Sequence, residues 1–309
     1  MSTCYGDLHP KFPLTNGPNN GLLSENAVLK ALLTKMGTAM DFFSSFSLPE
    51  GYNLGLSLAA FASIIGFQIF SRSLGKAIPA FGRAAKINKE VYDKKMERQI
   101  YADNQKLNRK WGLVDTLVIF FLIIPFCITS EWQGWGTMLL NVFIILMFYD
   151  FFYYLTHRFI FHSTGDRKGP LQWVHAVHHQ QHNPCRGDSS YIHPLEVAIG
   201  LALYAGSIFV LSRFMGDFHI ATIVITWVAF SEINNHNHDR WEESQFPFKY
   251  LDYASKMHHV HHSRFTSGNF ATISLFYDWL FGTMDYGDGW GKNKRTPKTK
   301  SNETAGAAS

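Results

Sequence analysis

The sequence predicts an all-α, polytopic membrane bundle of about four or five spans with a histidine-rich cap on the cytosolic side. Three features lead to this fold class: long apolar runs, basic segments beside them, and histidines crowded beyond the ends of the runs. The chain has 309 residues, 46% of them hydrophobic, and a net charge of only +4. This composition indicates a membrane partner, and we expect no nucleic acid to bind.

Five apolar runs of 16 to 21 residues are candidates for membrane-spanning helices. A helix needs roughly 20 residues to cross the hydrocarbon core of a bilayer. The first, second and fifth runs are at the short end, so a buried hairpin or a re-entrant segment is the alternative for them. The five runs are Leu54–Phe70, Leu113–Thr129, Trp135–Leu155, Val197–Phe214 and Phe218–Ile233.

Basic residues orient these runs in the membrane. Residues 71–110 hold eleven Lys or Arg against four Asp or Glu, and the tail after Gly289 holds five against one Glu. Cytosolic loops carry such an excess of cations. The connection 129–135 has no cation and two tryptophans, as expected at the opposite interface. We therefore expect an integral membrane protein, in the endoplasmic reticulum of a eukaryote, with residues 156–196 and those after Asn234 in the cytosol.

Three regions are expected along the chain. Residues 1–53 form a polar segment with an amphipathic helix over Ser24–Phe43, residues 54–290 form the membrane domain, and residues 291–309 form a disordered basic tail. Ala84–Lys110 is predicted to be a basic surface helix, with an ordinary packed helix as the alternative. The three cysteines are far apart and indicate no disulfide framework, and no signal peptide is expected in residues 1–20.

The histidines form a repeated pattern. All but one of the fifteen lie between His157 and His262. Helical positions i, i+3 and i+4 lie within about 100° of arc, so an H-x-x-H-H unit presents three imidazoles on one side. Two such units and one further pair predict that eight rings converge. These eight are His157 and His162, then His175, His178 and His179, then His258, His261 and His262.

This number of imidazoles predicts a site for two metal ions. A catalytic zinc takes three protein ligands and a structural zinc four, so eight or nine histidines exceed the need of one ion. Imidazole binds iron, zinc, copper and nickel alike, and the ligand type alone does not select among them. The sequence has no H-E-x-x-H, which argues against a zinc metalloprotease.

Two carboxylates accompany the histidines. Asp150 precedes His157 by seven positions, about two helical turns, and is a candidate to orient a ligand ring by accepting its second N–H. Asp278 is a candidate for the same role from the C-terminal side. A helix-end or loop carboxylate is the alternative for each of them.

With these residues in place, the chain resembles the fatty acid hydroxylase/sterol desaturase superfamily of membrane oxidoreductases. The resemblance runs from about Phe148 to Thr283. It rests on D-x6-H-x4-H, the two H-x-x-H-H units, "HPLE" at 193–196, "GNFA" at 268–271 and "D-x-x-FGT" at 278–283. Further stretches, such as "SSYIHPLE", look most like the sterol C4-methyl oxidase and C5-desaturase branches.

The resemblance implies a di-iron centre with two iron ions per chain. Carried over by position, its ligands are the eight histidines named above. One more histidine is implied upstream of the last unit, at His236 or, as the open alternative, His238. His182, His259 and His193 remain as further metal or supporting residues.

The resemblance also implies oxygen-dependent hydroxylation, methyl oxidation or desaturation of a lipid, most of all a sterol. A fatty-acyl or sphingoid-base hydroxylase is the alternative within the superfamily. The sequence has no H-P-G-G and no cysteine cluster, so an external electron donor such as cytochrome b5 or a ferredoxin is expected. No catalytic residue beyond the metal ligands is expected. A metal transporter or sensor, a zinc hydrolase and a metal-free relative are the readings outside this class.

Overall fold

The computed structural model describes residues 49–291, together with Lys30 and Thr34. The chain divides into two units, residues 1–50 and 51–309, and the described structure of the second follows. Apart from helical Lys30 and Thr34, the amphipathic helix expected over Ser24–Phe43 lies outside the described residues, as does the tail after Gly291.

The described part of the second unit is mainly α-helical. Its helices are α1 (Leu54–Ala77), α2 (Pro79–Met96), α3 (Gln99–Leu122), α4 (Trp135–Thr156), α5 (Gln172–His175), α6 (Pro194–Met215), α7 (Ile220–Asn237), α8 (Lys249–Ser263) and α9 (Phe276–Leu280). Between them lie shorter pieces: a π-helical turn at His157–Phe161 and 3-10 turns at Ile124–Phe126, His178–Gln180 and Arg186–Ser190.

Two very short strands join the connections on one end of the bundle. β1 (Ile128–Thr129) and β2 (Phe218–His219) are parallel, with Ile128 beside Phe218 and Thr129 beside His219. They tie the segment before α4 to the segment before α7.

Three of the described helices are long and apolar enough to cross a membrane. These stretches are Leu54–Ser71, Trp135–Phe161 and Pro194–Met215. They coincide with the first, third and fourth runs predicted from the sequence. Most of each stretch is not buried by protein, as expected for helices that present side chains to lipid.

The other two predicted spans have a different form. The run 113–129 is not one helix, because α3 ends at Leu122 and Pro125 lies in the 3-10 turn that follows. The run 218–233 begins in β2 and continues in α7, which includes polar Glu232 and ends at Asn237. The number of membrane crossings therefore remains a prediction.

The basic segment Ala84–Lys110 is divided between α2 and α3. Both helices pack against the turn 186–190, and their buried residues include Asn88 and Tyr101. This segment is therefore packed on one side, as the alternative interpretation of the sequence expected, instead of lying wholly in solvent.

The core of the bundle is rich in aromatic side chains. Phe120, Tyr149, Tyr204 and Trp227 come from four helices, α3, α4, α6 and α7, and all are buried. Burial of the tyrosine hydroxyls would be costly without partners. The Tyr204 hydroxyl donates to Oγ1 of Thr226 at 3.1 Å, which satisfies one of them. The first histidine pair follows directly on α4, and the second H-x-x-H-H unit lies on α8, which packs against α7. The core therefore helps to fix where these segments meet.

Candidate metal centre

Nine histidines gather into two clusters. In each cluster, one ring nitrogen per histidine lies within 4.8 Å of the others. The cluster side chains are buried, although residue His258 taken as a whole is partly exposed. Cluster 1 contains His157, His162, His175, His179 and His261. Cluster 2 contains His178, His238, His258 and His262.

A π-helical turn brings the first pair of histidines together. The amide of His162 donates to the carbonyl oxygen of His157 at 3.1 Å, five residues back in the chain. Residues five apart are therefore stacked here, as in other π-bulges, which are frequent at functional sites. The two ring centroids lie 5.0 Å apart, so this turn explains the H-x4-H spacing.

Each H-x-x-H-H unit contributes to both clusters. In the first unit, His175 and His179 belong to cluster 1 and His178 to cluster 2. In the second unit on α8, His261 belongs to cluster 1 and the other two to cluster 2. Only the second unit lies within one α-helix, as the spacing predicted; the first is divided between the end of α5 at His175 and the 3-10 turn His178–Gln180. Because each unit is shared between the clusters, no unit forms a site of its own.

The tautomers of most rings are set by acceptors on Nδ1. Five of these acceptors are backbone carbonyls and one is a carboxylate. Nδ1 of His157, His162 and His261 donates to the carbonyls of Phe270, Phe265 and Gly268, at 2.6, 2.9 and 2.8 Å. Nδ1 of His178, His238 and His175 donates to the carbonyls of Tyr191 and Asn234 and to Glu196, at 3.1, 2.9 and 2.7 Å.

As a result, Nε2 lone pairs face one another in both clusters. His157 and His175 both use their Nδ1–H elsewhere, and their Nε2 atoms are 2.9 Å apart. His178 and His238 repeat this arrangement in cluster 2, at 3.1 Å. Two lone pairs at such a distance repel unless a cation lies between or beside them.

A proton is a poor candidate for that cation. Burial lowers the pKa of His178 and of His261 to about 4, so neither ring is an imidazolium at neutral pH. Two nitrogens bound to one metal at about 2.1 Å and at a right angle lie about 3 Å apart, which is the separation seen here. Nε2 of His162 is buried in cluster 1 and has no hydrogen-bond partner in the described structure. The donor set thus fits one metal ion in each cluster.

Glu196 supports cluster 1, although no separate role was predicted for it from the sequence. It stands in the first turn of α6, after Pro194, and Oε1 accepts from Nδ1 of His175 at 2.7 Å. A carboxylate behind a metal-bound imidazole fixes the ring and raises its basicity. The "HPLE" motif contained the signal, but the motif alone does not say which histidine the glutamate meets.

The loop 265–274 supplies three of the carbonyls that hold cluster 1. Gly268 allows a close approach here, because a Cβ at this position would lie 2.0 Å from the carbonyl oxygen of Thr283. Asn269 has a positive φ of 65° and its side-chain amide donates to the carbonyls of Met257 and Asp285. The "GNFA" motif therefore lies in a loop, residues 265–274, whose backbone carbonyls accept hydrogen bonds from the ligand rings; we call it the acceptor loop.

Asp150 and Asp278 hold this loop and do not contact a histidine ring. Oδ1 of Asp150 accepts from the amides of Thr272 and Ile273, both at 2.9 Å. Asp278 accepts from the amides of Phe270 and Ala271, each at 2.8 Å. Both carboxylates are fully buried. They act on the cluster through the backbone, and not directly on a ligand ring as the sequence suggested.

The structure places His238 in cluster 2 and leaves His236 outside it. Nε2 of His238 lies 3.1 and 3.2 Å from Nε2 of His258 and His262. Nδ1 of His236 lies 2.6 Å from Asp239, beside Arg186. This geometry favours His238, the alternative left open by the sequence, over His236.

The remaining candidate histidines also lie outside both clusters. His182 is exposed, and its Nδ1 is 3.3 Å from the carbonyl of His262. Nε2 of His259 is 3.4 Å from the carbonyl of His238. Nδ1 of His193 accepts from the amide of Leu195 at 3.2 Å and caps α6.

A cavity of about 170 Å³ borders cluster 2. His258 forms part of its wall, together with residues of the acceptor loop such as Ala271 and Ile273. This cavity gives a small molecule or the end of a longer one direct access to a cluster ligand.

Comparison with known proteins agrees with this site. Residues 142–283 match the family model of fatty acid hydroxylases. The superfamily resemblance predicted from the sequence is thereby confirmed. No solved structure matches the chain.

Curated relatives of this chain include proteins named aldehyde decarbonylases and proteins named methylsterol monooxygenases. The chain is 30% identical over 161 residues to very-long-chain aldehyde decarbonylase GL1-8 of Oryza sativa, covering 49% of this chain and 55% of the relative. It is 25% identical to methylsterol monooxygenase 1 of Gallus gallus, covering 57% and 62%. It is 30% identical to methylsterol monooxygenase 2-2 of Arabidopsis thaliana, covering 50% and 54%. The chain thus spans about half the length of these relatives.

Proposed function

We propose that this chain, whose residues 142–283 form a fatty acid hydroxylase domain, oxidises a lipid with molecular oxygen at a centre of two metal ions. One ion would be held by cluster 1 and the other by cluster 2. The observation that carries the proposal is the pair of facing Nε2 lone pairs in each cluster, at 2.9 and 3.1 Å. Buried rings in this tautomeric state have a metal ion as their natural partner.

Iron is the metal we assign to both clusters. Imidazole accepts several transition metals, so the donor set alone does not choose iron. The resemblance to iron-dependent lipid hydroxylases makes the choice. Bound iron would supply the activation of oxygen that oxidation of an unactivated C–H bond requires.

The chain's own residues hold, orient and shield this centre. The carbonyls of the acceptor loop fix three ligand rings, and Glu196 makes His175 a stronger donor. Burial keeps water away from the rings, which limits loss of the oxidant to solvent. The cavity beside His258 is where the reacting carbon would approach.

A sterol is the substrate we place first. Two relatives are named methylsterol monooxygenases, and the sequence motifs most resemble the sterol branches. A fatty-acyl or sphingoid-base hydroxylase is the alternative. Relatives named very-long-chain aldehyde decarbonylases add a long-chain aldehyde as a further substrate to test.

Lipid analysis of yeast expressing this chain separates these substrates. The hosts should be strains blocked in sterol C4-demethylation or C5-desaturation, with His261→Ala as the inactive control. We expect the accumulated sterol intermediate to disappear only with the unaltered chain. Unchanged sterols with newly hydroxylated fatty acids, or with loss of long-chain aldehydes, would contradict the sterol assignment and support the corresponding alternative.

We also propose that the metal centre faces the cytosol of an integral membrane protein of the endoplasmic reticulum. Three apolar helices support a place in the membrane. The excess of cations in the segment 71–110 supports the orientation, in which the run 113–129 also crosses the membrane. An external donor, cytochrome b5 or a ferredoxin, would then supply electrons. Glycosylation acceptors inserted at 71–110 should stay unmodified, and one inserted at 129–135 should be modified. The reverse result would overturn the orientation.

Two alternative hypotheses place the chain in another functional class, as a metal transporter or sensor or as a zinc hydrolase. In a transporter, polar ligands would line the middle of several spans, whereas these clusters lie where apolar helices end. Elemental analysis of the purified chain, supplied with iron, should find close to two iron ions per chain. A single tightly held zinc ion would contradict the oxidase.

A further inference from the structure

A second groove, of about 490 Å³, lies between α2, α3 and the turn 186–190. None of the residues that line it belongs to either histidine cluster. The proposed oxidation therefore does not account for this groove, and its chemistry is a separate question.

The groove is positively charged. Its lining contains three cations, Lys89, Arg109 and Arg186, and no carboxylate. Arg186 is neutralised by Asp239, at 2.9 Å, and by Glu232. Lys89 is exposed and forms an ion pair with Asp93. In the described part of the chain, Arg109 has no carboxylate partner, so its charge remains available to an anion.

The wall of the groove also contains an acceptor without a partner. Asn108 is only 4% exposed, and its Nδ2 donates to the carbonyl of Ile192 at 2.6 Å. Its Oδ1 is buried and accepts no hydrogen bond within the described structure. Leaving a buried acceptor unpaired costs free energy, so a ligand that brings a hydroxyl donor would be stabilised here.

The groove lies at the level where α3 changes from polar to apolar. Arg109 is four residues, about 6 Å along the helix, before Leu113, where the apolar run begins. The side chains of Trp111 and Leu113 are exposed, and the Lys110 ammonium lies over the Trp111 ring. Tryptophan next to basic residues is typical of the membrane interface, where lipid headgroups are.

We propose that this groove binds the headgroup of an anionic phospholipid that carries hydroxyl groups. Arg109, with Lys89, would hold the phosphate, because a guanidinium fork matches phosphate oxygens. A headgroup hydroxyl would donate to Oδ1 of Asn108. Basic pockets beside cytosolic membrane helices bind such headgroups in other proteins. This binding does not depend on the proposed oxidation.

The test is binding of short-chain phosphatidylinositol to the full chain purified in a neutral detergent. We expect binding to phosphatidylinositol, weaker binding to phosphatidic acid, which lacks the headgroup hydroxyls, and little to phosphatidylcholine. Arg109→Gln should weaken phosphatidylinositol binding about tenfold, as loss of one charged hydrogen bond does. The matched control is Lys106→Gln, an exposed cation of the same helix that does not line the groove, and it should bind like the unaltered chain.

Three outcomes would overturn the proposal. Equal binding of phosphatidylinositol and phosphatidylcholine would exclude an anion site. Equal weakening of phosphatidylinositol binding by Arg109→Gln and Lys106→Gln would show that general surface charge, and not this groove, attracts the lipid. Displacement of the lipid by an equal concentration of inorganic phosphate would make the ligand a soluble phosphate. Since Arg109 is exposed, its variant should melt at the same temperature and keep the same metal content, which separates binding from folding.

Discussion

Nδ1 of His175 donates a hydrogen bond to Oε1 of Glu196 at 2.7 Å, and both side chains are almost completely buried. This contact joins the first H-x-x-H-H unit to the start of α6. It leaves Nε2 of His175 as a lone pair directed at Nε2 of His157. A carboxylate so placed makes the imidazole a stronger ligand and holds its plane.

We predict that Glu196→Gln weakens metal binding in cluster 1. The glutamine oxygen can still accept the hydrogen bond, but the charge that raises the basicity of His175 is lost. Loss of such a supporting partner typically costs ten- to a hundredfold in affinity or activity. Iron retention against a chelator and lipid oxidation are the measurements, with exposed Glu242→Gln as the matched control. Equal iron retention in the two variants would remove Glu196 from the proposed centre.

The spacing of the histidines predicted which rings meet, but not how they are shared. His261 and His262 are neighbours in sequence and belong to different clusters. That division depends on partners far along the chain, such as His179 for His261 and His178 for His262. No local pattern encodes the packing of α8 against the first unit, so the sequence could not assign rings to ions.

The choice between His236 and His238 shows the same limit. Residues two apart on a helix lie about 200° apart around the axis, so only one of them can face a given site. Which one does so depends on how α7 ends against α8. In the structure, His236 forms a hydrogen bond with Asp239, and no sequence motif indicates this contact.

We predict that His238→Ala loses metal from cluster 2 and that His236→Ala does not. Nε2 of His238 lies within 3.2 Å of three other ring nitrogens, whereas His236 meets a carboxylate. Iron per chain should fall from two toward one in the first variant, with oxidation lost, and stay near two in the second. The opposite pattern in elemental analysis would return the ligand to His236.

Asp278→Asn should destabilise the acceptor loop. The carboxylate accepts from two amides and from the Thr283 hydroxyl, at 2.6 Å, and an amide NH2 would face one of these donors. We expect the free energy of unfolding to fall by about 1–3 kcal/mol, since a buried donor is left unpaired. The melting temperature in detergent is the measurement.

The control for this variant is Asp166→Asn, at an exposed position. Because the carbonyl of Phe270 holds His157, cluster 1 should also lose iron faster than cluster 2 in Asp278→Asn. A melting temperature equal to that of the control would show that Asp278 does not support the loop.

The metal-free protein should lose stability as the pH falls from neutral toward about 4. Burial lowers the pKa of His178 and His261 to about 4, from about 6.5 in the unfolded chain. Between these two pH values the unfolded chain binds protons that the folded chain excludes. The stability that the neutral histidines contribute is therefore fully present above about pH 6.5 and is lost as the pH falls toward about 4.

Asp278 acts in the opposite direction on the same pH scale. Burial raises its pKa to about 6, so its neutral form favours the folded state below that pH. The histidines outnumber it, because burial also lowers the pKa of His162, His179 and His238, among others. Thermal melting across this pH range measures the combined effect of the histidines and Asp278 on stability, with exposed His182→Gln as the control. A melting temperature that rises toward pH 4 would contradict the prediction.

The last prediction separates His258 from its neighbour His259. Nε2 of His258 lies 3.1 Å from Nε2 of both His238 and His262, inside cluster 2. His259 is rotated about 100° further around α8. Its Nε2 lies 3.4 Å from Oγ of Ser255 and from the carbonyl of His238.

His258→Ala should therefore abolish lipid oxidation and lower bound iron, as should His261→Ala and His262→Ala. Removal of a ligand commonly costs ten- to a hundredfold or more. His259→Ala removes no ring from either cluster, so iron and most of the activity should remain. Iron content and oxidation measured on the four variants in parallel form the test, since all four make the same substitution on one helix. If His259→Ala loses iron as fully as His258→Ala, then α8 presents a different face to the centre and the assignment of ligands to cluster 2 is wrong.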